Sequence, residues 1–366
     1  MVPFLAIYLD GMGFSSLEIG EVLAVVTATK VIGPTLWAML SDKTGKQVSV
    51  MQLGTVLATI SFFFLFFFDH YWPILLLFAL FSLFWTATLP QLEVYTLHSI
   101  RRSPKIYARI RLWGSVGFTA LAIASGEILE IYGAQSYVFI GFFIMLALTV
   151  SAYLLKERPT PSKKTVQQGS IINKLVELRF VIFFLAGMFL QISFGPYNGF
   201  FALYLRGLDY PGVAVGMFLA IGVAAEIAIF IVAGKLFKAF TIKALLIFSM
   251  VTSVFRWALV GSYGDVAWLL AFSQLLHAFG FGVYHSASMQ FIQQHFNANQ
   301  QNRGQAVYIG GVFGIGGAIG AYLTGALWAG GEGGTLAFYA AAIVAFVSSL
   351  LIVLLPKNGR AANVQS

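Results

Sequence analysis

No cysteine occurs in the chain, which excludes disulfides and thiolate metal sites and leaves the cellular compartment open. Charge is scarce too: Asp, Glu, Lys and Arg make up 10% of residues, against 59% hydrophobic and 16% aromatic, at a mean hydropathy of +0.84. Water cannot solvate such a chain as a globular protein, so it reads as a polytopic membrane protein. Catalytic signatures are missing as well. The sequence holds no P-loop, H-E-x-x-H or Ser-His-Asp constellation, so neither an ATP-driven pump nor a membrane hydrolase has support, and no enzyme, metal or bound cofactor is expected. The ten-residue alternation of barrel strands is also absent, which leaves an all-helical fold. A net charge of +8 could suit nucleic acid, but the basic residues fall in short loops between apolar runs, where membrane orientation accounts for them.

Eleven apolar segments follow a short first one, over 18–40, 47–68, 72–97, 110–129, 135–155, 180–205, 212–237, 242–262, 266–291, 304–329 and 335–355. Each has about the 20 residues that a helical span needs. Taken alternately, the loops differ sharply in charge. One set carries 18 of the 22 Lys and Arg residues, from Lys43 and Lys46 through Arg101, Arg102, Lys105 and Arg109 to Lys357 and Arg360. That side is expected to be cytoplasmic. The opposite set holds Asp10, Glu18, Glu21, Asp69, Glu127, Glu130, Asp265 and Glu332, with Arg206 as its cation.

The longest loop, 156–179, has linker character and divides the spans into an N-terminal bundle over 1–155 and a C-terminal bundle over 180–357, with a tail at 358–366. The two halves repeat. "FLAIYLDGMGFSSLEIGEVLAV" from Phe4 aligns without a gap on "FFALYLRGLDYPGVAVGMFLAI" from Phe200, an offset of 196 with eight identities in 22 positions. Tyr8/Tyr204, Gly11/Gly207 and Gly20/Gly216 are shared, as in parallel-repeat transporters. The second copy is preceded by twenty apolar residues that the first lacks. The expectation is a truncated first helix, with Met1 an internal start or a fragment boundary.

Two six-helix bundles, a parallel repeat and a long central loop resemble the major facilitator superfamily. "AMLSDKTGKQ" at 38–47 is similar to that superfamily's loop signature, which by this resemblance assigns conformational gating to Asp42, Lys43 and Gly45; Ala38 stands where the family usually has glycine. The implied fold is all-α, with two bundles related by a pseudo-two-fold along the membrane normal.

Ionisable residues inside the spans mark functional candidates, because burying them in a bilayer is costly. They are Lys30, Glu93, Arg111, Glu226, Arg256, His277 and His285. Arg109 reads as snorkelling to the interface, whereas Arg111, about 200° away around the helix, shares a face with Ser115, Phe118 and Ala122. "YARIRLWGSVGF" resembles the fifth-helix motif of the proton-symport branch around lactose permease and the phenylpropionate transporter, and Glu93 stands 18 residues before Arg111, as in that branch's substrate-binding pair. Glu226, in "GVAAEIAIF", is flanked by Gly222 and Ala225, which permit close helix approach, and lies 196 residues after Lys30. Lys30 and Glu226 are therefore pseudo-equivalent positions of opposite charge, suited to substrate or gating.

In the tenth helix Gln274, His277, Phe281 and His285 fall within about 80° of one another. "LLHAFGF" and "VFRW" resemble the proton-coupling residues of the same branch, at His277 and Arg256. Gly280 stands where lactose permease has its proton-carrying glutamate, a departure shared with the phenylpropionate-like members. Proton coupling would then use Glu226, Arg256, His277 or His285. "LQISFGPYNGFF" adds Gln191 and Asn198, around a Gly195-Pro196 pair that either breaks the helix at cavity depth or only kinks it. The glycines from Gly310 to Gly320 read as close packing.

The resulting expectation is a secondary active transporter working by alternating access, with solute held by Glu93, Arg111, Glu226, Gln191, Asn198, Gln274 and Lys30. The resemblance implies proton symport of a small organic solute such as an aromatic acid, with the proton gradient as energy source. A symporter of oligosaccharides or nucleosides and a proton-antiporting exporter are the alternatives. The chain would be a monomer of the bacterial inner membrane, with the complete protein's termini in the cytoplasm.

Overall fold

The computed structural model describes residues 2–100, 104–157 and 170–356. Among them there is helix and no strand, and 11 helices are long and apolar enough to cross a membrane. A short helix that does not span, α1 (Leu5–Gly11), precedes them; the first of the 11 are α2 (Ser16–Thr44), α3 (Gln47–Phe67), α4 (Tyr71–Leu97), α5 (Arg109–Tyr132) and α6 (Ser136–Tyr153). The second set is α7 (Leu178–Gly207), α8 (Gly212–Val232), α9 (Ile242–Tyr263), α10 (Ala267–His295), α11 (Gln301–Gly331) and α12 (Gly334–Val353). Each spanning helix matches an expected apolar segment to within a few residues. Arg101, Arg102, Arg158, Lys163, Lys164, Lys357 and Arg360 of the cation-rich side, and the tail 358–366, lie outside the described residues.

Helix ends follow local chemistry. Ser15 and Glu18 form a capping box at the start of α2, and Gly45 closes that helix at φ +66°, its N–H donating to the Ser41 carbonyl at 2.9 Å. At α3 the cap comes from the segment that follows α6: the Glu157 carboxylate accepts from Val48 N at 3.1 Å and Ser49 N at 2.9 Å. A negative charge there complements the helix dipole. Lys174 donates to Glu177 at 2.8 Å, and that hydrogen bond holds the Glu177 carboxyl below the usual carboxylate range.

Three helices change pitch midway. α7 takes a π turn over Pro196–Phe200, α10 over Ala278–Val283 and α11 over Ile309–Gly316. Pro196 therefore neither breaks α7 open nor simply kinks it; the helix continues through a wider turn, of a kind frequent at functional sites.

The bundles meet along α2 with α11 and α5 with α8, with α1 against α7. Small residues allow the approach. A Cβ on Gly20 would lie 2.8 Å from the Gly325 Cα, and Gly126 and Gly212 oppose one another across α5 and α8. Gly310 and Gly314 of the glycine series pack on Val31, and Gly316 and Gly317 on α7 and α2. These contacts belong to the cation-poor end and the middle of the spans. Toward the cation-rich end they cease: Gly114 and Gly117 of α5, and Gly234 on the helix that continues α8, face open space. The bundles thus enclose an opening toward the cation-rich side.

Candidate functional site

The polar residues inside the spans form two groups. In the first, Arg111 Nη1 donates to Glu93 Oε1 at 2.7 Å, with the Tyr107 hydroxyl 3.4 Å from the same oxygen. The side chains of Arg111 and Glu93 are 59% and 40% exposed, so the pair stands on the wall of the opening rather than in packed interior. α5 begins earlier than its apolar segment, within a helix over Pro104–Tyr132, which sets Arg111 two turns in rather than at the first turn.

The second group is dry. Arg256 of α9 is fully buried, and its guanidinium donates to the Ser273 carbonyl (3.0 Å), Gln274 Oε1 (3.2 Å) and His277 Nδ1 (3.1 Å). It also lies over the rings of Tyr197 (4.0 Å) and Trp257 (4.4 Å), a favourable setting for a desolvated cation. Guanidinium has donors and no acceptor, so His277 Nδ1 must accept and the imidazole carries its proton on Nε2. That Nε2 faces Glu226 Oε2 at 3.7 Å.

Glu226 extends this second group through its contact with His277. His277, Phe281 and His285 stack in sequence, with ring centroids 5.4 and 6.1 Å apart, as the stripe of α10 predicts. His285 Nδ1 is buried without a hydrogen-bond partner among the described residues. Gly222 sits one turn from Glu226, where an added Cβ would reach the Tyr197 hydroxyl at 3.3 Å and His277 at 3.6 Å.

The remaining candidates are dispersed. Gln274 is fully buried behind Arg256 and bonded to it, a scaffold position rather than a lining one. Gln191 packs beside Gly316 and Gly317 of α11, and Asn198 is exposed on the π turn of α7. Lys30 is exposed on α2. Asp42 and Lys43 are exposed at the end of α2, beside the turn at Gly45. Sequence reasoning missed Tyr107, Ser273 and the aromatic seat of Arg256, whose only signal is proximity in the fold.

A family model for the MFS_1 like family matches residues 1–340. The chain belongs to this family. It is 29% identical over 317 residues to the probable 3-phenylpropionic acid transporter of Escherichia coli, covering 84% of this chain and 81% of the relative. It is 24% identical to the maltose permease of Geobacillus stearothermophilus, over 99% of this chain and 92% of that one. A solved structure of a mutant of the nucleoside transporter NupG superposes at a TM-score of 0.83 and 17% identity, over 97% of this chain and 98% of that one. This MFS_1 like protein therefore has the major facilitator fold, and it is a multi-pass membrane transporter of small solutes and not an enzyme.

Proposed function

We propose that this protein takes up a small aromatic acid, of the phenylpropionate kind, together with protons by alternating access. The observation that carries the reading is the place of Glu226 inside the spans, where its Oε2 faces the Nε2 of neutral His277 at 3.7 Å. A carboxylate so placed can take a proton from one side of the membrane and feel the charge of the solute that arrives with it. Glu93, Arg111 and Glu226 border the solute, Gln191 and Asn198 shape the polar surroundings, Gln274 braces Arg256, and Glu226, Arg256, His277 and His285 handle protons. Asp42, Lys43 and Gly45 act in gating. The proton gradient supplies the energy with no bound cofactor, and the unit is a monomer in a bacterial cytoplasmic membrane, with the cation-rich side and both termini of the complete protein facing the cytoplasm.

The test is solute-driven proton movement in vesicles. Adding 3-phenylpropionate outside should alkalinise the external medium with the native protein, and Arg111→Ala should abolish uptake. Glu226→Gln should retain exchange of labelled solute while losing proton movement by at least about tenfold. Acidification on adding solute would establish antiport instead. A nucleoside or oligosaccharide substrate is the second reading. It is favoured by the Glu93–Arg111 pair, which is neutral as a unit and offers both donors and acceptors.

A further inference from the structure

Among the described residues, three cations lie well inside the spans, and two of them are already committed. Arg111 is ion-paired to Glu93, and Arg256 is fully buried with three hydrogen-bond acceptors around its guanidinium. Lys30 differs. It is accessible to solvent at a depth where protein atoms crowd around it, and the ion pairs and hydrogen bonds of the described residues leave it without a partner.

The direction of Lys30 follows from its neighbours on α2. Thr29 bonds Ser82 of α4 at 2.7 Å, and the Val26 carbonyl accepts from the same Ser82 hydroxyl at 2.8 Å, so that face leans on its own bundle. Thr27 and Val31 instead pack on Gly317, Gly310 and Gly314 of α11, in the opposite bundle. Lys30 falls between these two faces, about 40° from Val26 and about 60° from Thr27. Its ammonium therefore projects into the space between the bundles. An unpaired charge at that depth is expensive unless water or an anion meets it.

We infer that Lys30 is the residue that receives the anionic group of the solute, while Arg111 stays engaged with Glu93. The inference rests on the aromatic-acid reading above and deepens it by assigning the carboxylate to α2. The ring of such a solute would then extend across the opening toward the Phe281 stripe of α10, which lies in the other bundle. One small acid would thus bridge both halves of the repeat.

The experiment measures binding of 3-phenylpropionate, its uncharged amide, hexanoate and uridine to the purified full chain, as native protein and as Lys30→Gln and Lys30→Arg. The native protein should prefer the acid to the amide, and Lys30→Gln should weaken acid binding by about 10- to 100-fold, the loss of one charge-assisted contact. Lys30→Arg should restore it to within about threefold. A Lys30→Gln protein that keeps the native preference for acid over amide overturns the inference. Acetylation of Lys30 by acetic anhydride, read on the native protein by peptide mass, is independent of how the variants fold. The acid should protect Lys30 and the amide should not, and equal protection overturns the assignment. Lys30-dependent binding of hexanoate without phenylpropionate upholds Lys30 and overturns the aromatic reading. Binding of uridine with no carboxylate at all overturns both.

Discussion

At the scale of single residues, Gly280 shows how one position in the sequence depends on another far away. A Cβ there would lie 2.6 Å from Ser253 Oγ, which is itself bonded to the Ser249 carbonyl at 3.0 Å. The space that a longer side chain would need there is occupied by α9. Gly280→Ala should cost about 1–3 kcal/mol by overpacking, and adding Ser253→Ala should recover most of it, both read as shifts in thermal unfolding of the purified protein. Equal destabilisation in the single and double variants would refute the coupling. The sequence made the members of the site legible, because ionisable residues in apolar runs are conspicuous. It could not show which were accessible. Arg111 and Arg256 look alike as isolated cations in apolar surroundings, yet one lines the opening and the other is sealed among Tyr197, Trp257 and Gln274.

At the scale of elements, span positions were readable because hydropathy is summed over about twenty residues, so local errors average out. The π turns were not, since an extra residue per turn leaves no mark on composition and is fixed by packing against neighbours. The inter-bundle contacts add a device that the repeat only hints at. Ser16 and Gly212 are 196 residues apart, and each begins a long helix that bonds across the bundle boundary. Gly330 N donates to Ser16 Oγ at 2.9 Å, while Gly212 N donates to the Glu130 carboxylate. Pro211, which precedes Gly212, offers no side-chain cap, so α8 borrows one from α5. Glu130→Ala should therefore loosen the closed, cation-poor end by about 1 kcal/mol, shifting the conformational equilibrium roughly fivefold. The chain has no cysteine, so a single Phe281→Cys can report the shift by its labelling rate with an impermeant thiol reagent added on that side. Glu130→Gln, which keeps an acceptor, should move it less. Identical rates in all three backgrounds would mean that the cap does not hold the end shut.

At the scale of the whole molecule, the structure is closed where loops are acidic and open where they are basic, and under the proposed function the open side faces the cytoplasm. A two-bundle transporter must also populate the reverse arrangement, because a site that stayed open to one side could bind but not carry. The pseudo-two-fold axis suggests where the change is largest. Met39 and Lys235, again 196 apart, are exposed on the free ends of the helices that begin at Ser16 and Gly212. If Lys30 on α2 and the aromatic stripe on α10 grip one solute, its arrival draws the bundles together across the open end. Spin labels on Met39→Cys and Lys235→Cys should then approach by about 5 Å, half a helix diameter, when saturating 3-phenylpropionate is added. The same addition to Lys30→Gln should leave the distance unchanged while Lys30→Arg behaves as the native chain. A distance that ignores the solute in the native background, under conditions where binding is measured directly, would separate binding from closure and remove alternating access as the account of this fold.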